Sequence, residues 1–281
     1  MFNLFKMDMY RLLHSASTWI ILFFVVVLSV FCVVMTNTDI ELMEKNPETV
    51  MTEQTEERMV GIMVEPDSEW ITGDIEAGSV ISAEVRSEIL ALLCVIFAAV
   101  FTNAEYKNGF IKNIVGQFPK RWKLILSKWL VIAIQVFVML LVFVVVNGIT
   151  GLILWKNHFY MGSVLTLLQF LGTQYLLHLG VASVIMFLSI LTYSTAFGMT
   201  TGILVCSGLL VPIYSMINKF VYDIRPGWDF DLNNYLLDGN ITMLQLSSET
   251  DILLRAVFVG IAFIMFSAIF AMIIIKKRDI R

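Results

Sequence analysis

Six apolar runs, over 18–36, 88–104, 124–154, 164–191, 196–216 and 252–275, limit what this chain can become. A helix rises about 1.5 Å per residue, so about 20 apolar residues cover a hydrocarbon core about 30 Å thick. Each run is near or above that length. A soluble core could not bury them all, because 58% of the 281 residues are hydrophobic, where ordinary globular chains hold about half. The expected fold is therefore all-α: a polytopic membrane protein with six transmembrane helices. Runs 124–154 and 164–191 exceed a perpendicular crossing and are expected to tilt or to extend into water.

Lys6 and Arg11 stand ahead of the first run as in a secretory signal. The run is long for one, however, and FCVVMTNTDIE offers no small-residue cleavage pattern, so it reads as a retained span. Orientation follows from lysine and arginine in the connections. With six crossings, Lys6, Arg11, Lys107, Lys112, Lys120, Arg121, Lys123, Lys128 and the tail 276–281 all fall on one side, which predicts that both termini are cytoplasmic. The connection 37–87 would then be an acidic external segment. Up to residue 85 it holds thirteen carboxylates, Glu53, Glu56 and Glu57 among them, against two bases, so a negative field over the outer mouth is expected. The connection 217–251 falls outside as well.

The chain displays no energy source of its own. It has no G-x-x-x-x-G-K-[ST] phosphate loop. The six runs carry acidic residues only at their ends, Glu88 at an outer mouth and Glu105 at an inner exit, whereas ion-coupled carriers place carboxylates in mid-membrane. His14, His158 and His178 are scattered and no cysteine pair accompanies them, so no bound metal or cofactor is expected. No nucleic-acid partner is expected either. His178 reads as a helix-to-helix hydrogen bonder or as a polar anchor in a path.

The densest basic stretch, within 105–123, lies between the second and third runs. At 100° per residue, Tyr106, Phe110, Ile111, Ile114, Val115 and Phe118 gather on one half of a helix that Pro119 ends. Asn108, Gly109, Lys112, Asn113 and Gly116 occupy the other half, suited to close packing against protein in the cytoplasm. Residues 1–17 form a second amphipathic helix, with Phe2, Phe5, Met9, Leu12 and Leu13 as its apolar stripe. Thr192, Tyr193 and Ser194 make an uncharged cytoplasmic corner. Gly198 and Gly202 give a G-x-x-x-G spacing that permits close helix approach, and Pro212 lies near the outer end of that run.

Glu105, Gly109, Ile111, Lys112, Asn113, Ile114, Pro119, Arg121 and Lys128, together with the ending FAMIIIKKRDIR, resemble the membrane subunit of an ABC exporter of the ABC type-2 superfamily. The long acidic segment is similar to that of bacterial peptide exporters of the phenol-soluble modulin or bacteriocin-immunity type. The resemblance implies an elbow helix over 1–17 and a coupling helix within 105–123. It implies a permease in the bacterial plasma membrane, paired as a homodimer or as a heterodimer with a related permease. Two copies of a separate ABC ATPase subunit would bind ATP and magnesium and push on the coupling helix, so the chain itself is not an enzyme. Amphipathic or toxin-like peptides would be the cargo. Glu105, Asn108, Gly109, Lys112, Asn113 and Gly116, with the corner Thr192, Tyr193 and Ser194, would meet the ATPase, and Glu105 would pair with basic groups on the partner or with Lys112 and Lys128. Gly198, Gly202, Pro212 and His178 would lie at the subunit interface or the path. The alternative is a non-transporting sensory or immunity protein whose acidic external segment binds a cationic ligand.

Overall fold

The structure is a computed structural model that describes residues 1–45, 70, 73–107, 121–228 and 230–277. It is almost entirely helical: α1 (Phe2–His14), α2 (Ala16–Lys45), α3 (Ala77–Arg86), α4 (Ile89–Lys107), α5 (Trp122–Trp155), α6 (Val164–Thr192), α7 (Thr195–Cys206), α8 (Val211–Ile224), α9 (Leu237–Met243) and α10 (Thr250–Lys277). A two-residue parallel ladder joins β1 (Ile75–Glu76) to β2 (Phe159–Tyr160), with Ile75 opposite Phe159.

Four helices, covering Ala16–Leu42, Trp122–His158, Val164–Thr192 and Thr250–Lys276, are long and apolar enough to cross a membrane. The number rises to six if each of two bent pairs is one span. These pairs are α3 with α4, bent by 50°, and α7 with α8, bent by 63°. The expected span 88–104 is one unbroken helix, α4, whereas the expected span 196–216 is corrected to two helices. The run 196–216 stops at Cys206 and restarts at Val211, where Pro212 sits in the first turn of α8 because its missing N–H has no partner to lose there. The run 88–104 is preceded by α3, with Glu88 in the break at φ 63°.

The connection 37–87 is not one external loop. Residues 37–45 continue α2, and 77–86 form α3, whose Val80, Ile81, Glu84 and Val85 recur at helical spacing and are buried. Glu53, Glu56 and Glu57 lie outside the described residues.

Helix α4 is the centre of the bundle, touching α2, α5, α6 and α7. It is apolar on every face, as a fully surrounded helix must be: Leu90, Cys94, Val95, Phe97, Ala98 and Phe101 are all buried. The flanking helices expose Trp19, Phe23, Phe31, Phe258 and Met265 outward, the pattern of a surface that lipid wets. With lipid outside, apolar contact alone does little to hold helices together, and side-chain hydrogen bonds contribute. Ser29 Oγ donates to the Phe143 carbonyl at 3.2 Å, Trp129 Nε1 to Ser183 Oγ at 2.9 Å, and Gln174 Nε2 to the Ile241 carbonyl at 3.0 Å.

Helix α1 corrects the expected stripe. Its buried residues are Leu4, Asp8 and Leu12, while Phe2 and Leu13 are exposed. The helix is rotated so that a charged residue faces the bundle, and the reason lies in what Asp8 meets.

Candidate functional site

Helix α4 carries a carboxylate at each end, and the two are treated differently. At its C-terminal end Glu105 is 5% exposed and accepts from the Arg11 guanidinium. Its other oxygen lies 2.5 Å from Lys128 Nζ. Lys128 is 1% exposed, although it belongs to a residue type that is almost never fully buried unless paired. Arg11 also donates to the Phe101 carbonyl at 3.3 Å, stacks over the Phe101 ring at 4.3 Å, and lies 3.8 Å from Asp8. Asp8 in turn accepts from Ser127 Oγ at 2.5 Å. Burial raises the Asp8 carboxyl above its ordinary value, while the Lys128 charge and the Ser127 hydroxyl pull it back down.

These two acids and two bases tie α1, α4 and α5 into one corner. Buried ion pairs are rarely a net gain over apolar packing, yet removing one member leaves a charge stranded at a cost of about 3–5 kcal/mol. The corner is therefore a latch with a defined geometry. It stands where α4 leaves for residues 108–120 and where α5 returns from them.

At the N-terminal end of α4 the charge is one-sided. Glu88 is 7% exposed, and its Oε1 has no hydrogen-bond partner among the described residues. Another carboxyl, Asp238 of α9, acts on it electrostatically. The Tyr214 hydroxyl, from the first turn of α8, donates to Asp238. Cys206, the last residue of α7, lies against the same group. Glu84, one turn earlier on α3, accepts from Thr36 Oγ1 at 2.7 Å and leaves its other oxygen unpartnered. Among the described residues no lysine, arginine or histidine lies within 4.0 Å of Glu84, Glu88 or Asp238. Asp238 is raised above the ordinary carboxylate range by burial, against the opposing Tyr214 hydrogen bond.

Two effects compete at Glu88. The N-terminus of α4 favours a negative charge there by about 0.3–2 kcal/mol, whereas burying an unpaired carboxylate costs several kcal/mol. The second wins. The backbone at Glu88 adds strain of about 1–3 kcal/mol for a non-glycine in the left-handed region.

Of the residues marked by sequence, Glu105 is in the latch and has found Lys128, one of its expected partners, and Arg11, which was not foreseen. Asn108, Gly109, Lys112, Asn113 and Gly116 lie outside the described residues. Thr192, Tyr193 and Ser194 form a helix stop and a helix start. Tyr193 takes φ 55° and bonds back to the Ser189 carbonyl at 2.8 Å, and Ser194 Oγ accepts from the Phe197 amide at 3.2 Å.

Gly198 and Gly202 face inward, so their close approach is made within the chain and not on a free face. A Cβ at Gly198 would meet Ser189 Oγ at 2.6 Å, and one at Gly202 would meet Val95 Cγ1 at 2.2 Å. Pro212 is exposed. His178 is fully buried, but its Nδ1–H donates to the Gln174 carbonyl of its own helix at 2.7 Å, and Nε2 has no partner among the described residues. Among the described residues it does not bond a neighbouring helix.

Sequence reasoning missed Asp8, Glu84, Asp238 and Tyr214. Asp8 had a signal: it falls at the i+4 position between Leu4 and Leu12, a charge inside an apolar stripe. Among the described residues no group of three or more histidines, cysteines, aspartates or glutamates is placed to hold a metal ion. An open apolar groove of about 380 Å³ between α1, α5 and α6 is lined by Phe5, Ala133, Phe137 and Tyr175 and carries no charge.

No curated protein matches the chain. The family model described as "Protein of unknown function (DUF2705)" matches residues 74–281, a stretch that holds Glu84, Glu88, Glu105, Lys128 and Asp238, and the chain belongs to that family.

Proposed function

We propose that this chain is the permease subunit of an ABC exporter of the type-2 kind, embedded in a bacterial plasma membrane with both termini in the cytoplasm. Two such permeases, identical or related, pair around a path for amphipathic peptides. Two separate ATPase subunits bind ATP and magnesium and supply the work. The observation that supports this reading is the latch of Asp8, Arg11, Glu105 and Lys128, which fastens both ends of the segment 108–120 and the elbow helix α1 into one corner.

A push on that segment meets a corner that does not yield, because separating any one charge strands another in a buried place. The displacement therefore passes along α4 and α5 as rods. Helix α4 delivers it to the break at Glu88. Gly109 and the small polar residues beside it provide the surface on which the ATPase presses. The phosphoryl chemistry belongs wholly to the partner.

The test is reconstitution with the ATPase subunit in lipid vesicles. Gly109→Trp is expected to abolish the stimulation of ATP hydrolysis by the permease while membrane insertion remains as in wild type. Full stimulation in Gly109→Trp would place the contact elsewhere on the chain.

A further inference from the structure

Two side chains one turn apart on α2 meet a single acid on α3. Thr36 Oγ1 donates to Glu84 Oε1 at 2.7 Å, and both residues are fully buried. The Cys32 thiol, four residues before Thr36, faces the same carboxyl. The second oxygen, Oε2, has no hydrogen-bond partner among the described residues. Ser87 is no help to it, because its hydroxyl donates to the Glu84 backbone carbonyl at 2.6 Å. The flanking turns are apolar: Val33 and Ile40 on α2 and Val80 and Ala83 on α3 are buried in one cluster with Trp155. The other titratable or charged groups at this end are Asp39 on α2, Glu76 on β1, Arg86 on α3 itself, Glu88 and Asp238. Arg86 directs its Nε to the Thr242 carbonyl at 2.7 Å, and among the described residues no base lies within 4.0 Å of Glu84.

We propose that Glu84 is a proton-binding site: a carboxylic acid kept neutral between α2 and α3, whose proton leaves only when the two helices part. A buried carboxylate needs a base or several donors, and here it meets one hydroxyl and one thiol, a weak donor. The neutral acid keeps the Thr36 bond on its carbonyl oxygen and leaves only an O–H unmet, a much smaller loss than a stranded charge. Water reaches the carboxyl only if α3 separates from α2, so ionisation and separation favour one another by linkage. Helix α3 meets α4 at the 50° break, and its separation from α2 need not move α4. Each parting of the two helices therefore releases one proton to the medium, and each closing takes one up. The site lies wholly within this chain and does not depend on an ATPase partner.

The test uses the purified full-length chain in detergent, with Glu84→Gln and Thr36→Val. Infrared spectroscopy at neutral pH separates protonated from ionised carboxyls by their C=O stretch. Wild type minus Glu84→Gln is expected to show a protonated-carboxyl band and no ionised one. Thr36→Val keeps the shape of the side chain and removes its donor, so it should move that band to higher frequency, as loss of a hydrogen bond to a C=O does. If Glu84→Gln does not fold, the Thr36→Val spectrum decides. In heavy water the wild-type band should shift slowly, because deuterium enters only when α3 parts from α2. An ionised-carboxylate band in the first difference, or a protonated-carboxyl region that Thr36→Val leaves unmoved, would overturn the proposal. A band that shifts at once in heavy water would overturn the link between the proton and the seating of α3.

Discussion

Glu105 and Glu88 stand about 25 Å apart on one helix at 1.5 Å per residue, and both are almost fully buried. Glu105 is held by two bases contributed by α1 and α5, whereas the buried Oε1 of Glu88 has no hydrogen-bond partner among the described residues. A compensated carboxylate fixes the position of whatever carries its partners, and it does so at any pH that leaves the bases charged. An uncompensated one is stable only while a proton remains. One end of α4 therefore has its buried charge matched, and the other does not.

The largest effect is expected at the compensated end. Glu105→Gln should strand Lys128 and destabilise the chain by about 3–5 kcal/mol, read as a fall in thermal stability in detergent. Replacing both partners, Glu105→Leu with Lys128→Met, should recover most of that loss, since apolar groups of similar volume substitute for a buried pair at little cost. A double variant no more stable than Glu105→Gln would mean that Arg11 and Asp8, and not the Glu105–Lys128 pair, hold the corner.

The uncompensated end predicts a sign. Asp238 of α9 binds its proton more tightly folded than unfolded, because burial raises it. Stability should accordingly fall as pH rises from the unfolded carboxylate value, about 4, to the higher folded one. The slope is at most about 1.4 kcal/mol per pH unit for each proton. Thermal melts across that range would check it. A rise over the same window would show that the carboxyls are ionised and partnered.

Smaller effects test the packing between the two ends. Gly202→Ala places a Cβ 2.2 Å from Val95 Cγ1 and should cost about 1–3 kcal/mol by overpacking. Gly172→Ala meets nothing within 4 Å and should be neutral or stabilise α6 by up to about 1 kcal/mol. Their difference in melting temperature measures how tightly α7 is seated on α4. Ser29→Ala, which removes the bond to the Phe143 carbonyl, should cost only about 0.6 kcal/mol.

The helices of the bundle were legible because membrane spans are written as apolar length, a local property. The breaks were not. The stretch 207–210 carries no run of polar residues long enough to divide an apolar window, Pro212 is equally at home in the first turn of a new helix, and the helix α3 ahead of Glu88 was hidden in a stretch counted as acidic. Glu105 was legible as a charge at a span exit, and Lys128 as one of its partners. Arg11 and Asp8 were not, because ninety-odd residues separate them from Glu105 and only the docking of α1 brings them together. Glu84 read as a member of the acidic external segment and Asp238 as part of the external connection 217–251, and both are buried. The two glycines of the G-x-x-x-G spacing announced a close contact, but spacing does not say with which helix.

The central claim is that the latched corner of α1, α4 and α5 is where a separate ATPase drives this chain. Affinity purification of the tagged chain from membranes of its own host, in mild detergent, tests it most directly. The account predicts that a phosphate-loop ATPase co-purifies in equimolar amount, hydrolyses ATP, and is lost from Gly109→Trp while remaining with Glu88→Gln. A chain that purifies without any such subunit from membranes that contain it, or one that retains the subunit equally in Gly109→Trp, would contradict the claim. The former result would favour a protein that binds its ligand outside the cell and transports nothing.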